Sequence, residues 1–180
     1  MPNHNPQDNQ NKPGNRPQGG RPYRDDKPKS EYEENVLQVD RVSRTVKGGK
    51  RMRFRACVVI GDAKSRVGMG IAKGADVSTA VNKAVTKAKK LLLVVPIVND
   101  TIPHDVKVKF KSAIVYMKPA PQGSGVIAGG AVRSVMNLAG VGNVVCKMLG
   151  TQNKINNVKA VFKALGQLRT RRLGANAIKK

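Results

Sequence analysis

The sequence contains very few acidic residues beyond its N-terminal segment. No glutamate follows Glu34, and residues 35–180 contain five aspartates against 28 lysines and arginines. Residues 1–34 are balanced, with six basic and six acidic side chains, so the formal charge of +23 belongs to the remainder. A compact body with this charge repels itself unless a polyanion neutralises it. Nucleic acid is the natural polyanion, because each cation on a phosphate also releases a condensed counterion.

The shortage of acids also argues against catalysis. Metal-dependent phosphoryl transfer needs carboxylates on the metal. The five aspartates (Asp40, Asp62, Asp76, Asp100 and Asp105) show no spacing that pairs them persuasively, although Asp100 and Asp105 could meet across a turn. His104 is the only histidine outside the N-terminal segment. We therefore expect no catalytic residue, no metal and no cofactor.

Tryptophan is absent, and the chain has only six aromatic side chains. Proteins that bind single strands by stacking usually expose more rings, so this composition favours recognition of RNA shape and phosphates. Cys57 and Cys146 stand in apolar runs without a Cys or His partner, which predicts buried free thiols and not a zinc site. No apolar run approaches the roughly 18 residues of a membrane span. We expect a cytoplasmic protein with no membrane partner.

Composition divides the chain into four parts. Residues 1–34 are rich in Asn, Gln, Pro and Gly and are predicted to be a disordered tail. Residues 35–98 and 99–168 alternate strand and helix patterns and are predicted to form two domains, separated near Pro96 and Asn99. Residues 169–180 are predicted to be an extended basic tail.

The first predicted domain consists of three strands and a helix. A strand begins at Val36, a Lys47–Lys50 turn follows, and the segment Lys50–Ile60 alternates apolar and basic residues. Its arginines, at positions 51, 53 and 55, share one face with a spacing of about 6.6 Å, close to that of phosphates along a strand. Such a ladder must be solvated or paired with anions. A third strand, Arg66–Ala72, and a helix over Asp76–Leu93 complete the domain, a sheet covered on one face.

The second predicted domain opens with another alternating strand, 106–112, in which lysines form a second ladder. A strand over 113–117 follows. A glycine-rich loop then precedes a short helix that stops at Gly140. A strand over 144–149 and a helix over Asn156–Leu168 end the domain. Phe162 is expected on the inward face of this last helix.

Two glycine motifs could bind phosphate. Gly68-Met-Gly70-Ile-Ala-Lys-Gly74 does not have dinucleotide-binding spacing, and no acid follows to hold a ribose, so we expect a close backbone approach there. The loop from Gly123 to Gly130 precedes a helix with Arg133 in its first turn, which suits an anion. An RNA or protein contact and an ordinary turn are equally consistent with this second spacing.

Several segments together resemble the bacterial S-five family of small-subunit ribosomal proteins. The resemblance rests on RVSRTVKGGKRMRFRACVVIGD (41–62), GMG (68–70), KPAPQGSGVIAGG (118–130) and GTQNKIN (150–156), and it extends over about residues 35–168. Two departures are Met69, where the family commonly has phenylalanine, and Lys154, where it commonly has proline. Methionine fills a similar space, whereas the lysine weakens the expected helix start and adds a charge.

The resemblance implies an α+β fold of two small α/β sandwich domains. The first would be similar to a double-stranded-RNA-binding domain, with three strands and one helix. The second would be a four-stranded sheet with two helices and a left-handed βαβ connection. It also implies binding to small-subunit rRNA where head, body and platform meet, contacts with small-subunit proteins four and eight, and a part in decoding accuracy. Residues 42–50 would be a protruding loop near the head–body neck and the spectinomycin site.

We therefore predict a structural rRNA-binding protein of the small subunit that is not an enzyme and forms no homo-oligomer. It would support assembly, head–body positioning and translational accuracy, and the region where mRNA enters the subunit is a further candidate contact. The predicted RNA-binding residues are Arg41, Arg44, Lys47, Gly48, Gly49, Lys50, Arg51, Arg53, Arg55, Arg66, Lys73, Lys107, Lys109, Lys111, Lys118, Gly123, Gly125 and Arg133. Two alternatives are a free RNA chaperone or nucleoid-type protein of the same fold, and a nucleotide-phosphorylating enzyme.

Overall fold

Two four-stranded sheets and three helices make up residues 31–169, the part of the chain that a computed structural model describes. In chain order the elements are β1 (Glu33–Val46), β2 (Gly49–Gly61), β3 (Arg66–Gly74), α1 (Val77–Lys90), β4 (Leu92–Val94), β5 (Val106–Phe110), β6 (Ala113–Pro119), β7 (Val126–Ile127), α2 (Gly130–Ala139), β8 (Val144–Leu149) and α3 (Lys154–Leu165). The predicted α+β class is confirmed. The tail predicted over residues 1–34 lies outside the described residues up to position 30, as does the basic segment from position 170 onward.

The first sheet has the strand order β1-β2-β3-β4, and all its pairs are antiparallel. Ala56, Val58 and Ile60 alternate along β2 and are buried against the alanine-rich face of α1, as the periodicity predicts. Asp76 is at the N-cap of α1, although its side chain makes no capping hydrogen bond.

The predicted first helix is too long at its C-terminal end. α1 ends at Lys90, and Leu92–Val94 forms the short strand β4 beside β3. The run from Leu91 to Val95 is apolar without a helical period, and Pro96 disfavours helical backbone at the preceding residue. The first sheet therefore has one strand more than the resemblance implied.

The glycines of β3 permit a close approach to α1, as predicted. A Cβ atom built on Gly70 would lie 1.9 Å from the carbonyl oxygen of Ala84, and one on Gly74 would lie 2.6 Å from the backbone nitrogen of Ala80. Any side chain at these positions would push the helix off the sheet.

The second sheet has the order β5-β6-β8-β7. β7 lies inside the segment predicted as a loop and runs parallel to β8, so β7, α2 and β8 form a βαβ unit. α3 begins at Lys154, two residues before the predicted start. The Asn153 side chain caps this helix by accepting hydrogen bonds from the backbone N–H groups of Ile155 (3.1 Å) and Asn156 (3.4 Å).

The second face of the first sheet is not fully open, which corrects the prediction of a sheet covered on one face only. Val59 and Val67 point away from α1 and are buried in one core with α2, α3 and the second sheet. The backbone N–H of Ala63 donates to the carbonyl of Leu138 in α2 (3.0 Å). Within the described part of the chain, this face is uncovered only in the region nearest the β1–β2 turn. None of the helices within residues 31–169 is long and apolar enough to span a membrane.

Candidate nucleic-acid interface

The β1–β2 hairpin extends beyond the first sheet as a two-stranded ribbon. β2 pairs with β3 only from Phe54 onward, so Gly49–Arg53 has β1 as its only strand partner among the described residues. This part is about 17 Å long. The turn between the strands contains Gly48, whose φ of +83° explains the need for glycine. The ribbon's residues are exposed or half-buried, so its side chains are available to a partner.

One face of this ribbon is strongly cationic; we call it the hairpin face. It consists of Arg44 on β1, Arg51, Arg53 and Arg55 on β2, and Lys73 on β3. Arg44 is directly opposite Arg51, and Lys73 is directly opposite Arg55. A cavity of about 300 Å³ is lined by Arg44, Arg51, Arg53 and Lys73, together with Val42, Ser43 and Val46. Like charges directly opposite one another destabilise a sheet, so an anion bound on this face would relieve that repulsion.

Arg55 differs from the other arginines because it has a carboxylate partner. Its Nη2 and Nε donate to Oδ2 of Asp40 at 2.7 and 3.2 Å, and the Gln38 amide donates to Oδ1 at 2.7 Å. The hydrogen bond from Arg55, and then that from Gln38, lowers the pKa of Asp40. Within residues 31–169, the other cations of the hairpin face have no carboxylate within 4.0 Å.

The opposite face and the tip of the ribbon also carry cations. By strand register Arg41 and Lys50 lie on the opposite face, together with Met52 and Phe54, while Lys47 stands in the turn before Gly49. The ribbon can therefore meet phosphates on both of its faces and at its end.

Arg66 lies far from the cations of the ribbon. It lies seven positions before Lys73, about 23 Å along β3, and its Nε is 3.9 Å from Oδ2 of Asp62. Burial raises the pKa of Asp62, but hydrogen bonds from the backbone N–H groups of Lys64 and Arg66 outweigh this effect, and the net shift is downward. The surroundings of Arg66 contain two acidic residues, Glu31 and Asp62, so its charge is balanced locally, unlike that of the hairpin-face arginines 51 and 53.

The outer face of the second sheet is a separate surface, which we call the second-sheet face. Its lysines are Lys107, Lys109, Lys118 and Lys147. They surround apolar side chains that are exposed or half-buried, namely Ile114, Tyr116, Ile127, Val145 and Leu149. The Lys118 ammonium lies 5.6 Å from the centroid of the Tyr116 ring.

Lys147 was missed by the sequence analysis. The alternation of residues along β8 indicates its position, because Lys147 follows the buried Cys146 and so points to the opposite, outer face. Lys111 in turn is not on the predicted ladder: β5 ends at Phe110, and Lys111 lies in the following turn with a φ of +52°.

The glycine-rich loop is attached to β8. The N–H of Gly125 donates to the buried Asn143 side chain (3.1 Å), and the Gly125 carbonyl accepts from the N–H of Val144 (3.1 Å). The Gly125 N–H is therefore not available to an anion. Gly123 is exposed with a φ of +88°, and Arg133 is exposed in the first turn of α2.

Both cysteines are buried free thiols, as predicted. Burial raises the pKa of Cys57, and it raises the pKa of Cys146 to about 12. Among the described residues no three His, Cys, Asp or Glu side chains come together as a metal site would need.

These features define a basic α+β protein of two sheets, each with an exposed cationic face. Comparison of the sequence with known proteins identifies its family. Residues 32–96 match the family model "Ribosomal protein S5, N-terminal domain", and residues 108–178 match "Ribosomal protein S5, C-terminal domain". The small ribosomal subunit protein uS5c of Emiliania huxleyi is 46% identical over 151 residues, which is 83% of this chain and 95% of the relative. The chain belongs to the ribosomal protein S5 family, and the resemblance found in the sequence is confirmed.

Proposed function

We propose that this chain is a structural constituent of the small ribosomal subunit that binds small-subunit rRNA through the hairpin face. The observation that carries the proposal is the direct opposition of Arg44 and Arg51, flanked by Arg53 and Lys73, without a carboxylate partner among the described residues. Phosphates of a nucleic-acid backbone would neutralise this face. Membership of the S5 family supports rRNA as the partner.

The ribbon gives the proposed binding a mechanical consequence. A projecting two-stranded element with cations on both faces can join RNA segments that lie on its two sides. Such a contact would support assembly, hold the head and body of the subunit in position and so affect translational accuracy. The chain would act by holding RNA and not by catalysis.

The second-sheet face suits a mixed partner, because its lysines surround exposed apolar side chains. Bare phosphates give such side chains little to pack against, whereas a neighbouring protein does. Small-subunit proteins four and eight, together with rRNA, are the proposed neighbours, and the region where mRNA enters the subunit is a further one. The proposed location is the cytoplasmic small ribosomal subunit.

Sedimentation separates a ribosomal constituent from a free RNA chaperone of the same fold. Extracts of the source cells are centrifuged through sucrose gradients in moderate salt, and the chain is detected in each fraction by mass spectrometry. We expect it in the small-subunit fractions in stoichiometric amount. A dominant pool at the top of the gradient would favour the chaperone and overturn the proposal.

A matched pair of variants tests the hairpin face. Arg51→Gln with Arg53→Gln should lower the log–log salt slope of rRNA-fragment binding by about 1.8, since each phosphate contact contributes about 0.9. The control, Lys89→Gln with Lys90→Gln at the exposed end of α1, makes the same charge change elsewhere. Equal slopes for the two double variants would show that net charge alone matters. ATP turnover that disappears in Asp100→Asn would instead support the enzyme alternative.

A further inference from the structure

An aromatic cleft opens where the two sheets' elements meet. It is lined by Met69 of β3, Leu91 after α1, Phe110 at the end of β5, and Lys159, Phe162 and Lys163 of α3. Its volume is about 320 Å³. Phe110 and Phe162 are only half-buried, and Leu91 is 69% exposed, so the apolar walls face solvent. An apolar cleft of this size with a few polar groups at its edge is typical of a binding site.

The rim of this cleft is cationic. The Lys159 ammonium lies 5.8 Å from the centroid of the Phe110 ring, and the Lys163 ammonium donates to the backbone carbonyl of Lys109 (3.4 Å). Within residues 31–169 the lining includes no acidic side chain. Lys159 and Lys163 are one helical turn apart, about 6 Å along the axis of α3. That separation is comparable to the separation of successive phosphates on a nucleic-acid strand.

We propose that this cleft binds one unpaired RNA base, with Lys159 and Lys163 on the phosphates that flank it. The inference deepens the proposed function, because it rests on RNA being the partner. Phe110 and Phe162 both line the cleft, and an aromatic ring can stack with any base. The contact of Lys159 with the half-buried Phe110 ring is weak, so the ammonium can move to a phosphate when the base takes its place.

RNA is favoured over a peptide because it can place one phosphate on each of the two lysines at the rim. A nucleotide within a strand has a phosphate on each side of its base, and the cleft has two lysines within reach of one binding position. A peptide with one acidic and one apolar side chain would leave one of these lysines without a partner.

The test uses the full chain and two RNA hairpins of the same stem, one with a single unpaired 2-aminopurine and one fully paired. The wild-type protein should prefer the first hairpin by about tenfold and quench its 2-aminopurine fluorescence on binding. Phe162→Leu keeps apolar volume and removes the flat face, so the preference should disappear while the salt slope stays unchanged. Leu91→Glu places a carboxylate at the mouth of the cleft, beside Lys159 and Lys163, without altering buried packing. It should abolish the preference and also lower the salt slope.

Arg53→Gln on the hairpin face makes the two proposals separable, since it should weaken binding of both hairpins equally. If Arg53→Gln weakens both but Phe162→Leu and Leu91→Glu keep the wild-type preference, the base site is wrong and rRNA binding by the hairpin face stands. A peptide is then the remaining occupant. A wild-type protein without any preference also overturns the base site. Loss of preference in the two cleft variants with no effect of Arg53→Gln supports the cleft and contradicts the hairpin face.

Discussion

Asp40 on β1 and Arg55 on β2 are direct cross-strand partners, and the guanidinium donates twice to the same carboxylate oxygen, at 2.7 and 3.2 Å. This pair lies where the ribbon joins the three-stranded part of the first sheet. Of the three arginines along β2, Arg55 therefore has its charge compensated by a carboxylate, whereas Arg51 and Arg53 have no carboxylate partner among the described residues. The uncompensated arginines of the hairpin face therefore lie toward the tip of the ribbon, and the uncompensated Lys73 lies at its base.

Removing the carboxylate should free Arg55 for RNA. We expect Asp40→Asn to raise the log–log salt slope of rRNA-fragment binding by up to about 0.9, the contribution of one phosphate contact. Asp105→Asn is the matched control, because it makes the same charge change on an exposed residue that follows the first domain. Filter binding over a salt series measures both slopes. An equal rise in both variants would attribute the effect to net charge, and no rise in Asp40→Asn would mean that Arg55 does not reach a phosphate.

The same pair predicts how stability depends on acid. Because Arg55 lowers the pKa of Asp40 in the folded chain, the contribution of this carboxylate to the free energy of unfolding is fully present above its ordinary pKa of about 3.9. That contribution is lost as the pH falls through the lowered folded value. Asp40→Asn should therefore lose less stability than the wild type between about pH 4 and pH 2. Urea unfolding followed by circular dichroism measures this, and parallel acid limbs for the two proteins would contradict it.

Adding one methyl group at Gly70 should force β3 and α1 apart and destabilise the protein. Gly70→Ala places Cβ against the Ala84 carbonyl, which is backbone and cannot rotate away. Overpacking of this kind costs about 1–3 kcal/mol or more, and the midpoint of thermal unfolding should fall by about 2–4 °C for each kcal/mol. Gly130→Ala is the control, since a Cβ atom there would meet nothing within 4 Å. Equal midpoints for the two variants would contradict the close approach.

Cys146 should be inert in the folded protein. Its thiol is buried with a pKa of about 12, and only the thiolate reacts with alkylating agents. Iodoacetamide at about pH 8 should label neither cysteine of the native chain and both in guanidinium chloride, as counted by mass spectrometry. Raising the pH above the ordinary thiol value of 9.0 should favour the unfolded chain, whose thiol ionises first. Rapid labelling of Cys146 in the native protein would contradict its burial.

Much of the architecture could be predicted because it depends on local patterns. The alternation along β2, the alanine face of α1 and the glycines of β3 each specify one element and the neighbour it packs on. The end of α1 was placed too late, because Leu92 continues the apolar stripe of the helix; the loss of the helical period after Lys90, together with Pro96, gave the only local signals, and pairing with β3 decides the strand. The start of α3 was misplaced for a similar reason: the Asn153 cap decides it, and several nearby asparagines could have served.

The sequence by itself determined that the chain is strongly basic after residue 34, that its cations alternate with apolar residues along strands, and that it resembles a known family. Only the tertiary structure decided which of those cations are compensated, because the pairing of Asp40 with Arg55 depends on the register between two strands. It also decided that the face bearing the arginines becomes a buried core at Val59, and that Phe110 and Phe162 share one cleft. Periodicity reports which side of an element a residue occupies, whereas what covers that side depends on contacts between distant segments.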